Sequence, residues 1–196
     1  MDKKFGGKYR TGTARLAHWD YATEGGYFVT ICVKDKRCVF GEVKDGHVVL
    51  NDCGRIVQDC WLAVPEHFPH TSLGPYVVMP NHVHGIIFIH DRVRRLDDGS
   101  VSNDAMMCRD AKFCVSTANG SALDGNRFGP QSMNLGSIVR GFKAGVTTSA
   151  RDRGIPFVWL ERYHDHVIRH DQDLARISKY IEDNPLQWSL DEENPG

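Results

Sequence analysis

Tyr76-Val77-Val78-Met79-Pro80-Asn81-His82-Val83-His84-Gly85-Ile86-Ile87-Phe88-Ile89 reads as two paired strands folded around Pro80-Asn81. Its residues are largely β-branched or apolar, the composition that suits a pleated, half-buried surface. Side chains on a strand alternate between faces, so His82, His84, Ile86 and Phe88 share one side of the sheet. That side is apolar except for two imidazoles. Two such rings can ligate one metal ion, although a His-x-His pair taken alone is more often two ordinary, partly buried histidines. The surrounding chain has to decide between these readings.

Upstream, Tyr27 to Val33 has strand composition, and Val39 to Val43 followed by His47 to Leu50 reads as a hairpin turning at Asp45-Gly46. Asn51 or Asp52 is a natural N-cap for a helix with Ile56, Val57, Cys60, Trp61 and Val64 at helical spacing, and Pro65 marks its end. Downstream, about forty residues rich in Asp, Ser, Asn and Gly show no periodicity and read as a variable insertion over about 91–130. Helical spacing returns after Asn134, with Leu135, Ile138, Val139, Phe142 and Val146 on one stripe and Arg140, Lys143 and Arg151 on other faces. Phe157 to Leu160 gives a short strand signal, followed by a histidine-dense stretch to His170. A last helix is expected from an Asp171 cap to Asn184-Pro185, with Leu174, Ile177 and Ile181 buried and Tyr180 and Asn184 one turn apart.

This order predicts an α+β fold: an antiparallel, ferredoxin-like or RNA-recognition-like sheet with helices packed on one side. The expected organisation is a basic N-terminal arm over 1–26, one domain over 27–188 containing the insertion, and an acidic tail over 189–196. In the arm, Lys3, Lys4, Lys8 and Arg10 suit either a solvated tail or phosphate contacts.

Composition narrows the function classes. The 196 residues are 41% hydrophobic and 25% charged, ordinary for a globular domain. No apolar run is long enough for a membrane span or a signal peptide, so a cytoplasmic protein without membrane partners is expected. Six cysteines without a Cys-x-x-Cys pair give no zinc-knuckle or dithiol signal. Lys plus Arg (24) nearly equals Asp plus Glu (25), so any nucleic-acid contact must come from local clusters.

Two imidazoles with one oxygen ligand would make an open metal site, able to polarise a phosphoryl group. Tyrosine is an accepted covalent nucleophile. Tyr180 would lie on a helix packed against the sheet with the Asn184 amide beside it, and Tyr163 competes with it; spacing does not choose between them.

Tyr76 to Gly85, Leu135-Gly136-Ser137-Ile138-Val139-Arg140-Gly141-Phe142-Lys143, His166-Val167-Ile168-Arg169, and Tyr180-Ile181-Glu182-Asp183-Asn184-Pro185-Leu186-Gln187-Trp188 together resemble the REP-associated tyrosine transposases of the HUH single-tyrosine superfamily. The resemblance runs from about Tyr27 to Trp188, outside the insertion. It implies a metal-dependent endonuclease and strand transferase that cuts single-stranded DNA near hairpin or palindromic repeats through a 5′-phosphotyrosine. It also implies Mg²⁺ or Mn²⁺ as cofactor, His82, His84 and Asn184 as metal ligands, and Tyr180 rather than Tyr163 as nucleophile on the C-terminal helix. Arg140, Lys143, His166, Arg169 and Trp188 become candidates for DNA contacts, a homodimer is allowed, and the expected location is the cytoplasm at the nucleoid. The chain departs from many relatives at Leu160-Glu161, where Gln-Arg is common, and at His164, where a second aromatic is common. The competing functions are a non-catalytic nucleic-acid-binding module and a metal-dependent phosphoesterase using water.

Overall fold

The computed structural model describes residues 19–90, 133–191 and 193–195, with the backbone of 4–5 and 9–10. The 91–130 insertion lies outside the described residues, as does most of the 1–26 arm. In chain order the elements are β1 (Lys4–Phe5), β2 (Tyr9–Arg10), β3 (Gly25–Cys32), β4 (Gly41–Lys44), β5 (His47–Leu50), α1 (Asp52–Leu62), α2 (Val64–His67), β6 (Thr71–Val78), β7 (His82–Ile89), α3 (Leu135–Asp152), β8 (His164–Ile168) and α4 (Asp171–Asp183). A 3-10 helix, Asn184–Leu190, follows α4 directly.

Four strands form the main sheet in the order β6-β7-β3-β8, every neighbouring pair antiparallel. With α1 between β3 and β6, and α3 between β7 and β8, this is the βαββαβ arrangement of a ferredoxin-like fold. The β4–β5 hairpin is inserted before α1 and turns at Asp45 and Gly46, whose φ values of 50° and 74° are those of a tight two-residue turn.

Sequence chemistry sets the helix ends. The Asn51 side chain accepts a hydrogen bond from the Gly54 N–H at the start of α1. Asn134 and Ser137 form a reciprocal capping box on α3. At α4 the cap is His170, whose Nδ1 accepts from the Asp173 N–H, and not Asp171 as expected. Asp171 is already in helical conformation, so its carboxylate lies in the first turn, where the helix dipole favours negative charge.

Alternation divides the sheet into two faces. Tyr27, Val29, Ile31, Val83, Ile87 and Ile89 pack with the apolar stripes of α1 and α3 in the main core. Trp61 of α1 is fully buried there, edge-on to Phe142 of α3 at 5.3 Å between ring centroids. The indole lies against Gly85: a Cβ at that position would come within 2.2 Å of Trp61 Cζ2. The other face carries Phe28 and Ile86, covered by Ile177 and Ile181 of α4.

The ferredoxin-like class therefore holds, while the expectation that all helices share one side does not extend to α4. Its apolar stripe has its own partners on the far face, and this brings Tyr180 to the same side as His82 and His84. The strand signal at Phe157 to Leu160 is also displaced. Phe157 and Trp159 are buried against Phe40, and only an isolated bridge joins Val33 to Trp159. The fourth sheet strand is β8, over His164–Ile168.

Candidate metal centre and tyrosine

His82 and His84 occupy the start of β7 on the α4 face, almost wholly buried. Their rings lie 4.4 Å apart between centroids. Each has one nitrogen engaged from behind. His82 Nδ1 is 2.8 Å from Asn81 Oδ1, which can only accept, so Nδ1 carries the hydrogen and Nε2 a free lone pair. His84 Nδ1 is 2.9 Å from the hydroxyl of Thr30 on the neighbouring strand. Such outer partners orient the imidazoles of metal sites and set their tautomers.

Burial pushes the His82 imidazole down to about 4, against the opposing pull of the Asp191 carboxylate. Burial, with the neighbouring His82 and His164 adding to it, holds His84 well below the ordinary histidine range. Both rings are neutral near pH 7, the form in which imidazole binds metal.

The third member of the group is Asp191. One ligand atom from each of His82, His84 and Asp191 lies within 4.8 Å of the others. Both carboxylate oxygens are held: Oδ1 accepts from the Glu193 N–H at 2.7 Å and Oδ2 from Asn184 Nδ2 at 3.2 Å. Asn184, expected as the oxygen ligand, is buried at the end of α4 and bonds this carboxylate. His82 Nε2 and Asn184 Oδ1 are both buried and have no hydrogen-bond partner among the described residues. Leaving such atoms unsatisfied costs about 1–3 kcal/mol each. A divalent cation satisfies imidazole nitrogen and carboxylate or amide oxygen, so these side chains fit one.

Tyr180 reaches the group from α4. Its hydroxyl is 3.3 Å from His84 Nε2, and its ring packs at 5.2 Å from His84 and edge-on to Phe28 at 6.1 Å. It is 44% exposed, so a substrate can approach the phenol from solvent. Trp188, on the 3-10 helix, lies 6.1 Å from the His82 ring.

The remaining candidates are dispersed. His166 stands on β8 opposite Phe28, hence on the site face, and its Nε2 pairs with Asp173 at 2.7 Å. That bond, helped by Arg176, holds the Asp173 carboxyl low. Arg169 lies over the Trp19 ring at 6.0 Å. Arg140 and Lys143 are on α3, across the sheet from the histidines. Arg140 is exposed, whereas the Lys143 ammonium donates to the carbonyls of Leu160, Glu161 and Arg162 at 2.7, 3.4 and 3.5 Å. Lys143 thus ties down the segment before β8.

Thr30, Asn81 and Asp191 were not expected in the site. Asn81 stands next to His82 in sequence, which was a usable signal; Asp191 sits in an acidic run that reads as a solvated tail.

No family model matches the chain. An uncharacterised protein of Haemophilus influenzae is 37% identical over 194 residues, covering 94% of this chain and 96% of the relative. The chain belongs to the same family as that protein. The structure of a REP-associated tyrosine transposase bound to a REP hairpin superimposes with a TM-score of 0.54 and 16% identity, over 91% of this chain and 76% of that one. The chain thus has the fold of that REP-associated tyrosine transposase. No helix among the described residues is long and apolar enough to cross a membrane.

Proposed function

We propose that the protein is a metal-dependent endonuclease and strand transferase acting on single-stranded DNA with hairpin or palindromic repeats. In this reading Tyr180 is the nucleophile. His82, His84 and Asp191 hold Mg²⁺ or Mn²⁺, and Asn184 steadies Asp191 while offering Oδ1 as a further oxygen donor. The observation that carries it is the 3.3 Å approach of the Tyr180 hydroxyl to His84 Nε2, which joins a nucleophile on α4 to the ligand group on β7. When bound, the ion supplies Lewis-acid polarisation of a phosphoryl oxygen.

The chain's own residues do the rest. Phe28 and His84 hold the Tyr180 ring so that its hydroxyl faces the ligand group. The phenol oxygen attacks the phosphorus and displaces the 3′-oxygen of the preceding nucleotide, which departs as a 3′-hydroxyl and so balances the proton that the phenol gives up. The phosphodiester becomes a 5′-phosphotyrosine, whose bond is later exchanged for one to a DNA 3′-hydroxyl. The hairpin-bound state of the fold neighbour supports a folded single strand as substrate here. The contact between Tyr180 and His84 of one chain supports action without exchange of helices between subunits, so a homodimer is not required. The place of work on this reading is the cytoplasm, at the nucleoid.

The test is incubation with a hairpin oligonucleotide carrying a 5′ flank, with Mn²⁺, followed by a denaturing gel. A covalent adduct is expected, absent for Tyr180→Phe. An adduct that survives the substitution overturns the assigned nucleophile, and cleavage with no adduct favours the water-using phosphoesterase.

A further inference from the structure

Asn81 is 1% exposed and uses every polar atom of its side chain across three separate segments. Oδ1 meets His82 Nδ1 at 2.8 Å; Nδ2 donates to the Lys36 carbonyl at 3.0 Å and to the Glu193 carbonyl at 2.6 Å. Glu193 in turn donates its N–H to Asp191 Oδ1. One buried amide therefore touches one member of the ligand group directly and the backbone that holds another. It also anchors a turn in which Asp35 and Lys36 adopt φ of 59° and 53°, a region disfavoured without glycine.

We propose that Asn81 is the positioning residue that assembles the metal centre, presenting His82 with Nε2 bare and tethering the segment that carries Asp191. The inference rests on the metal-site reading above. An amide suits the task because one planar group offers an acceptor and two donors in fixed directions. Alanine removes all three bonds. Aspartate keeps an acceptor for His82 Nδ1–H and loses both donors, which separates the two halves of the role.

The experiment measures ¹⁵N-histidine NMR on metal-free protein and Mn²⁺ binding by calorimetry, for wild type, Asn81→Asp and Asn81→Ala. Wild-type His82 is expected with hydrogen on Nδ1 and unprotonated Nε2, N81D with the same tautomer, and N81A with a mixture. Mn²⁺ affinity is expected to fall about 10–100-fold in N81A, the usual effect of removing an outer-shell partner. Wild-type His82 found with hydrogen on Nε2 overturns the proposal, and that measurement stands even if N81A does not fold. So does an N81A protein that keeps both tautomer and affinity. Failure of the wild type to bind Mn²⁺ with the expected tautomer present overturns the metal reading instead, leaving Asn81 as the residue that sets His82.

Discussion

Tyr180 Oη and His84 Nε2 lie 3.3 Å apart although 96 positions separate them in the chain. The contact exists because α4 covers the same sheet face that presents the two histidines. Replacing Tyr180 by Phe removes one oxygen and keeps the ring packing against Phe28. Covalent adduct formation on the hairpin substrate is expected to be lost, with melting temperature and Mn²⁺ affinity near wild type. A large loss of Mn²⁺ affinity in this variant would place the phenol among the ligands instead.

Asp191 and Asn184 make separable contributions. Asp191→Ala removes a charged oxygen from the ligand group, and Mn²⁺ affinity is expected to fall by more than the roughly 10–100-fold of an outer-shell loss. Asn184→Ala frees one carboxylate oxygen and removes one amide donor, so a smaller decrease is expected. Calorimetric titration of both variants checks the order; the reverse order would make Asn184 the principal oxygen ligand.

Stability of the metal-free protein should depend on pH through the buried histidines. In the unfolded chain the His82 imidazole titrates near 6.5, and in the folded protein near 4. Above 6.5 neither state binds this proton and stability is complete. As pH falls through that window the unfolded state takes up a proton that the native state refuses, so stability declines and levels off below about 4. The loss from His82 is on the order of 3 kcal/mol, and His84 acts in the same direction. Denaturant unfolding in chelator between pH 7 and 4 reads it, and replacing His82 by Gln should flatten the decline.

Gly85→Ala should destabilise the domain without touching the histidine face. The added methyl group points into the fully buried indole of Trp61, which cannot withdraw without disturbing Phe142. Overpacking of this kind costs about 1–3 kcal/mol. A lowered melting temperature that Trp61→Phe partly restores is expected; an unchanged one would mean the α1 side of the core is looser than described.

Much of the scaffold was legible because it depends on periodicity. The α3 stripe from Leu135 to Val146 is buried as spaced, and the period-two placement of His82 and His84 gave their common face directly. The edge strand β8 was hidden because its inward positions include a buried Asp165 beside Val167, which blurs the apolar alternation. Phe157 and Trp159 carry a stronger strand signal, yet their rings serve as core filling against Phe40.

The candidate ligand group was legible where chemistry and sequence proximity coincide, as at His82 and His84. Asp191 was not, since acidic residues near a chain end are usually solvated and only the 3-10 helix brings this one back to β7. Lys143 shows what spacing does not reveal. Its charge on a helix flank reads as available to phosphate, but three backbone carbonyls occupy it.

The two sheet faces differ in how firmly they are covered. α1 and α3 share the main core, whereas α4 meets the opposite face through a satellite cluster whose buried members are Phe28, Ile86, Ile177 and Ile181. Elements with so small a buried contact open locally at lower free energy than the global transition, and their amides exchange earliest. α4 is accordingly expected to exchange its amides before α1 and α3, and hydrogen exchange reads that order. On the proposed mechanism, a helix that opens in this way carries the strand esterified to Tyr180 while the main core keeps its shape, which separates durability from reach.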